Sequence, residues 1–171
     1  MDISSVTYYF TTYGGIAIFV IVLLEYLNLP GFPAGVIMPL AGIMASRGNI
    51  NFFQVLIITV AAGLLGSLLL YALGRQGGEV FLKAYVKRFP SQKAPLEKNL
   101  EWIRQKGPIG VFVAKLLPMV RTIVSIPAGV VRMNLAKYVV SSTMGIIIWN
   151  FIFVGAGYVF GEQVFQLLGK R

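Results

Sequence analysis

Three charged residues interrupt stretches of chain that are otherwise apolar: Glu25, Lys115 and Arg121. Each stands beside prolines. Glu25 precedes Pro30, Pro33 and Pro39; Lys115 and Arg121 flank Pro118, and Pro127 follows. A guanidinium presents a planar fork of donors that matches phosphate oxygens, and an ammonium adds a point charge. A carboxylate among them can pair with a cation or carry a proton. Prolines remove backbone donors and disturb helical turns, so neighbouring carbonyls and helix ends become available as ligands. Half-helix N-termini favour anions. This combination suits a phosphate-bearing substrate more than a covalent catalyst. Ser125 lies between Arg121 and Pro127 and reads first as a hydrogen bond to a neighbouring helix and second as part of a polar path. Arg132 reads first as an interfacial cation and second as a further substrate contact.

The two broken segments, about Asn28–Ser46 and Pro108–Val131, must be held by something other than water. Hydrophobic residues make up 57% of the chain and charged ones 12%, about half the charge of an ordinary soluble domain. Asn51–Leu73 and Leu135–Phe160 each supply the roughly 20 apolar residues that a membrane crossing needs. Ser5–Tyr26 reads as an N-terminal membrane helix; Asp2 and the lack of a basic leader argue for its retention rather than cleavage. In a bilayer, irregular backbone persists only inside protein or against a watery cavity, and charge at depth marks a functional site. The segments therefore read as re-entrant, with Glu25 and Arg121 facing one cavity.

The chain has no cysteine and no histidine, and only six carboxylates. Disulfides and thiolate chemistry are excluded, and no metal or cofactor site is expected. Without histidine or paired acids, enzymatic chemistry ranks last. The net charge is +9, with eight Lys and Arg between Arg75 and Lys106 against three Glu. Between apolar spans, such a loop obeys the positive-inside rule, so residues 75–106 are expected in the cytoplasm. Nucleic acid is not an expected partner. Within this loop, Glu79–Arg88 reads as an amphipathic surface helix and Leu96–Lys106 as a second short helix, with Pro90 and Pro95 as breaks.

One spacing recurs. Gly42 and Gly129 are 87 residues apart, as are Tyr71 and Tyr158, and Gly74 and Gly161. A repeat with one broken segment and one crossing has an odd number of crossings. Successive copies then insert in opposite orientations, with the site near the midplane where they meet. The expectation is one all-α membrane domain over residues 1–171. It has an N-terminal helix and inverted repeats at about 25–78 and 108–161.

The residues Glu25, Pro39-Leu-Ala-Gly42, Gly63-xx-Gly66-xxxx-Tyr71-xx-Gly74-Arg75-xx-Gly78 and Pro118-xx-Arg121-Thr-xx-Ser125-xx-Ala128-Gly129-xx-Arg132-Met133 resemble the motifs of the bacterial DedA family, also called the VTT-domain or SNARE-associated membrane family. The resemblance covers about Glu25–Gly161. It implies two facing re-entrant segments in a multi-pass protein of the bacterial plasma membrane, and movement of lipids between leaflets. Members include translocases that recycle undecaprenyl phosphate and others implicated in phosphatidylethanolamine or general phospholipid movement. This chain departs from the pattern twice. Gly35 stands where many members carry an acid, and Lys115 where many carry Arg. The expected function is translocation of a phosphate-headgroup lipid, undecaprenyl phosphate before phosphatidylethanolamine. An ion- or proton-coupled exchanger built on Glu25 and a non-transporting scaffold remain as alternatives.

Overall fold

In the computed structural model, residues 3–27, 37–47, 50–118 and 120–168 are described. They form helices and connecting turns, with no strand among them. Pro30 and Pro33 lie outside the described residues, as does most of the first break.

Helix α1 runs Ile3–Tyr26, α2 Ile37–Ser46 and α3 Phe52–Arg88. Then come α4 at Lys93–Lys115, α5 at Val120–Ile123, α6 at Ser125–Val130 and α7 at Leu135–Leu168. The spans Phe52–Gly78 and Leu135–Gly161 are long and apolar enough to cross a membrane. Asn51 starts α3 through a reciprocal cap: its side chain accepts from the Phe53 amide at 2.9 Å, and Gln54 accepts from the Asn51 amide at 3.2 Å. Asn134 starts α7 by accepting from the Lys137 amide.

Several boundaries differ from expectation, each for a local reason. Helix α3 does not stop at Leu73. It runs through Gly74 to a kink at Gly78, where φ is +51°, and on to Arg88. Helix α4 likewise extends past Lys106 through a kink at Gly107, φ +56°, to Lys115. These two glycines supply left-handed backbone at little cost, so the basic segment folds as a helical hairpin bracketed by bends. Pro95 does not break the chain, because it occupies the first turn of α4, where no helical amide is required. Pro90 opens a single 3-10 turn, Pro90–Gln92. Helix α7 continues eight residues beyond Phe160.

The exterior of the long helices is apolar: Phe53, Ile57, Leu65 and Leu69 on α3 and Val140, Met144, Phe151 and Val159 on α7 are exposed. Buried positions include Glu25, Ser67, Lys115, Arg121, Ser125 and Asn150. A soluble protein does the reverse. Large contiguous apolar surface marks contact with a membrane or another protein.

The short helices pack across the molecule rather than on their sequence neighbours. Helix α2 lies mainly on α7, and α6 on α3. Both contacts are made through glycine. A Cβ at Gly42 would overlap the Val154 carbonyl oxygen, and one at Gly157 the Pro39 carbonyl. In the other contact, a Cβ at Gly129 would overlap the Tyr71 carbonyl and one at Gly74 the Ile126 carbonyl. The crossing residues of the short helices are 87 apart, Gly42 with Gly129 and Pro39 with Ile126. The long helices correspond at 83 instead, Val154 with Tyr71 and Gly157 with Gly74. The difference is about one helical turn of 3.6 residues. Tyr71 and Tyr158 therefore do not occupy equivalent places: Tyr71 is buried and Tyr158 exposed.

Candidate functional site

Six helices bring their polar residues to one buried place. The end of α1 delivers Glu25 and Tyr26, and α3 delivers Ser67. The end of α4 delivers Lys115, the α5–α6 run delivers Arg121 and Ser125, and α7 delivers Trp149 and Asn150.

Glu25 and Arg121 form a buried ion pair through Glu25 Oε1 and Arg121 Nη2. Arg121 Nη1 donates to the Tyr26 hydroxyl at 2.8 Å. The guanidinium carbon lies 4.7 Å from the Tyr26 ring centroid and 4.9 Å from that of Trp149. Desolvated cation–π contacts of this kind contribute about 2 kcal/mol. The Tyr26 hydroxyl in turn reaches Asn150 Oδ1 at 3.5 Å, the limit of a hydrogen bond. Tyr26 fits because α3 has no side chains in its way: a Cβ at Gly63 would lie 2.9 Å from its ring, and one at Gly66 2.8 Å from its Cβ. Gly63-xx-Gly66 thus makes a seat for this one tyrosine.

Lys115 is held separately. Its Nζ lies 2.8 Å from Ser67 Oγ, 2.7 Å from the Arg121 carbonyl oxygen and 3.1 Å from Ser125 Oγ. Three oxygens match the three donors of an ammonium. Gly145 on α7 makes room for its stem, since a Cβ there would stand 2.5 Å from Lys115 Cβ. Lys115 therefore ties the turn after α4 to α3 and α6, and positions the segment that carries Arg121. Two cations and one carboxylate meet here, so the ionised cluster carries an excess positive charge. Trp149 Nε1, Asn150 Nδ2 and Glu25 Oε2 are buried without a hydrogen-bond partner among the described residues. Buried polar atoms of this kind call for an explanation.

The structure brings Glu25, Lys115, Arg121 and Ser125 together. It does not bring Arg132 to them. Arg132 is exposed and its backbone, at φ +53°, ends α6, with the Arg132 amide on the Gly129 carbonyl and the Met133 amide on the Ala128 carbonyl. Pro39 and Pro127 are each the third residue of their short helices, and Pro118 lies in the turn between α4 and α5. Two features were not read from the sequence. Tyr26 looked like part of a helix end, and only its position beside Glu25 hinted at more. At the end of an apolar span, Tyr71-xx-Gly74-Arg75 reads in the sequence as a membrane exit with Tyr71 and Arg75 at the headgroup level. Tyr71 is instead buried, donating to the Met133 carbonyl, while Arg75 Nη1 donates to the Tyr71 hydroxyl at 2.7 Å.

The profile of the VTT domain matches residues 29–159 of this chain. The chain belongs to the VTT-domain family. It is 35% identical to undecaprenyl phosphate transporter A of Bacillus subtilis over 131 residues, which are 77% of this chain and 66% of that protein. Over 167 residues, 95% of this chain and 82% of the relative, it is 30% identical to undecaprenyl phosphate transporter A of Staphylococcus aureus. A protein of Lactococcus lactis called alkaline phosphatase-like is 26% identical over 145 residues, 82% of this chain and 68% of that one. No solved structure matches this VTT-domain chain.

Proposed function

We propose that the protein is a membrane lipid translocase that carries a phosphate headgroup between leaflets, with undecaprenyl phosphate as its substrate. The observation behind this reading is the buried Glu25–Arg121–Lys115 cluster inside an assembly whose long helices present apolar residues outward. Its excess positive charge favours an anion. The donors of Trp149 and Asn150 that lack partners stand on the helix that faces Arg121. A phosphate monoester gains more from such a site than a zwitterionic headgroup does, because it carries more negative charge. Two relatives named for undecaprenyl phosphate transport agree with this choice.

Architecture supports the reading. Helix α2 has 10 residues and the run from Val120 to Val130 has 11. At about 1.5 Å per residue, each covers about half of a hydrocarbon core of about 30 Å. We read both as re-entrant segments of two inverted repeats, seated on each other's long helix through Gly42 and Gly129. The basic hairpin then lies on the cytoplasmic surface, and the protein is multi-pass in the bacterial plasma membrane. The lipid tail stays in the bilayer while the headgroup passes the cluster. We read the chain as no enzyme, despite the phosphatase-like name of one relative. A Lys115 ammonium donating to three oxygens has no lone pair with which to activate Ser67 or Ser125.

Reconstitution tests the proposal. In liposomes carrying labelled undecaprenyl phosphate, the wild type should move the lipid, and Arg121→Ala should reduce the rate to background while the protein stays folded. Ion flux without lipid movement would favour the exchanger, no movement of lipid or ions by the wild type would leave only a scaffold, and lipid movement by Arg121→Ala at the wild-type rate would remove the buried cluster as the transport site.

A further inference from the structure

The bend of α4 at Gly107 encloses an apolar groove of about 560 Å³, within the usual size range of ligand pockets. Ala94, Lys98 and Trp102 on the first half of α4 form one wall; Ala114, Leu117 and Val120, at and after its end, form the other. Trp102 Nε1 donates to the Gly110 carbonyl at 3.1 Å and pins the two halves across the bend. Three features say what fits there. Ala114 and Val120 of the groove wall are each followed directly in the chain by a buried cation of the cluster, Lys115 and Arg121. The groove is open at its rim, where Ala94 and Leu117 are exposed. Lys98, also exposed, sets a cation at that rim.

We propose that this groove is a lateral portal that takes the hydrocarbon chain of an anionic lipid while its phosphate moves from Lys98 toward Arg121. Apolar walls accept any hydrocarbon, whereas the cation at the mouth and those behind the wall select a negative headgroup. The inference rests on the translocase reading and adds an entry route on the side of the basic hairpin.

Two measurements on the reconstituted protein test it. A photoreactive phenylalanine replacing Ala94 should cross-link to the chain of undecaprenyl phosphate well above the same probe at Val80, an exposed hairpin residue outside the groove. Ala94→Trp, which fills the groove from an exposed position, should slow undecaprenyl phosphate transfer at least fivefold, and Val80→Trp should not. A cross-link joining two protein chains would place a second copy in the groove and overturn the lipid portal. So would transfer by Ala94→Trp at the wild-type rate. If the wild type itself moves no polyprenyl phosphate, the translocase reading fails first, and the portal with it.

Discussion

Helices α2 and α6 perform the same mechanical task with different chemistry. Helix α2 lies on α7 and α6 on α3, and each approaches so closely that only glycine fits at the crossing. Yet α2, Ile37–Ser46, is apolar up to its last residue, Ser46. The α5–α6 run holds Arg121, Thr122 and Ser125, all buried, and is tied down by Lys115. The carboxylate of the first half comes from α1 instead. The two crossings therefore share a packing geometry, while the buried cations stand beside only one of them. Packing geometry and substrate chemistry are separable, and substitutions can separate them.

The largest effect should come from the charged half. Arg121→Ala strands the Glu25 carboxylate, and removing one partner of a buried pair costs about 3–5 kcal/mol. Glu25→Gln leaves a neutral acceptor for the guanidinium and should cost less stability, yet also abolish transport. The comparison is read by thermal unfolding in detergent beside liposome transport. If either single variant transports normally, the ion pair is structural only.

The glycine contacts come next and should be symmetric. Gly42→Val and Gly129→Val each force a side chain against backbone, an overpacking cost of about 1–3 kcal/mol. Similar losses in melting temperature would support two equivalent seats. A loss confined to Gly129→Val would mean that α2 is loosely held and that the halves are not mechanical equals.

A smaller effect isolates a feature that only one half has. Tyr71 and Arg75 bind the Met133 carbonyl beyond the end of α6. On the long-helix correspondence, their places in α7 are taken by Val154 and Tyr158, and valine can make no such bond. Tyr71→Phe should cost about 1 kcal/mol and loosen the second seat alone. Hydrogen exchange at the amides of Ala128–Met133 would report it, and unchanged protection there would remove the latch from the account.

Much of this was readable because the cost of burying charge and breaking helices in lipid is severe. Few residue types survive it, so Glu25, Arg121 and the prolines stood out from composition alone. The 87-residue spacing of Gly42 and Gly129 was readable for the same reason, since glycine at a crossing has no substitute. What the sequence did not reveal were partners set by the third dimension. Tyr26 is one aromatic among many until Gly63 and Gly66 are seen to make its seat. The shift of the long helices by one turn is invisible because Tyr71 and Tyr158 match in type while differing in environment. The bends at Gly78 and Gly107 fall where the sequence already divides its elements, before Glu79 and before Pro108; what it does not show is that helix resumes directly on the far side of each. The first broken segment was legible only in part: Ile37–Ser46 forms its helix, and Asn28 to Val36, with Pro30 and Pro33, lies outside the described residues.

Arg132 gives the smallest expected effect and the sharpest division between packing and chemistry. It takes the left-handed position that closes α6, where glycine is the usual residue. A side chain there costs about 1–2 kcal/mol. Glycine would recover that strain but lose about 0.4–1 kcal/mol through the greater freedom of the unfolded chain. Arg132→Gly should therefore raise stability by about 0.5–1 kcal/mol, visible as a small rise in melting temperature. The substitution also deletes a cation that the buried cluster does not touch. If Arg132 serves only to end the helix, Arg132→Gly should transport undecaprenyl phosphate at the wild-type rate. If its charge meets the headgroup at the membrane surface, transport should fall while stability still rises. Arg132→Lys should then restore it, because lysine keeps the charge. A fall in both transport and stability would mean that the strained turn is held by contacts of the arginine side chain itself.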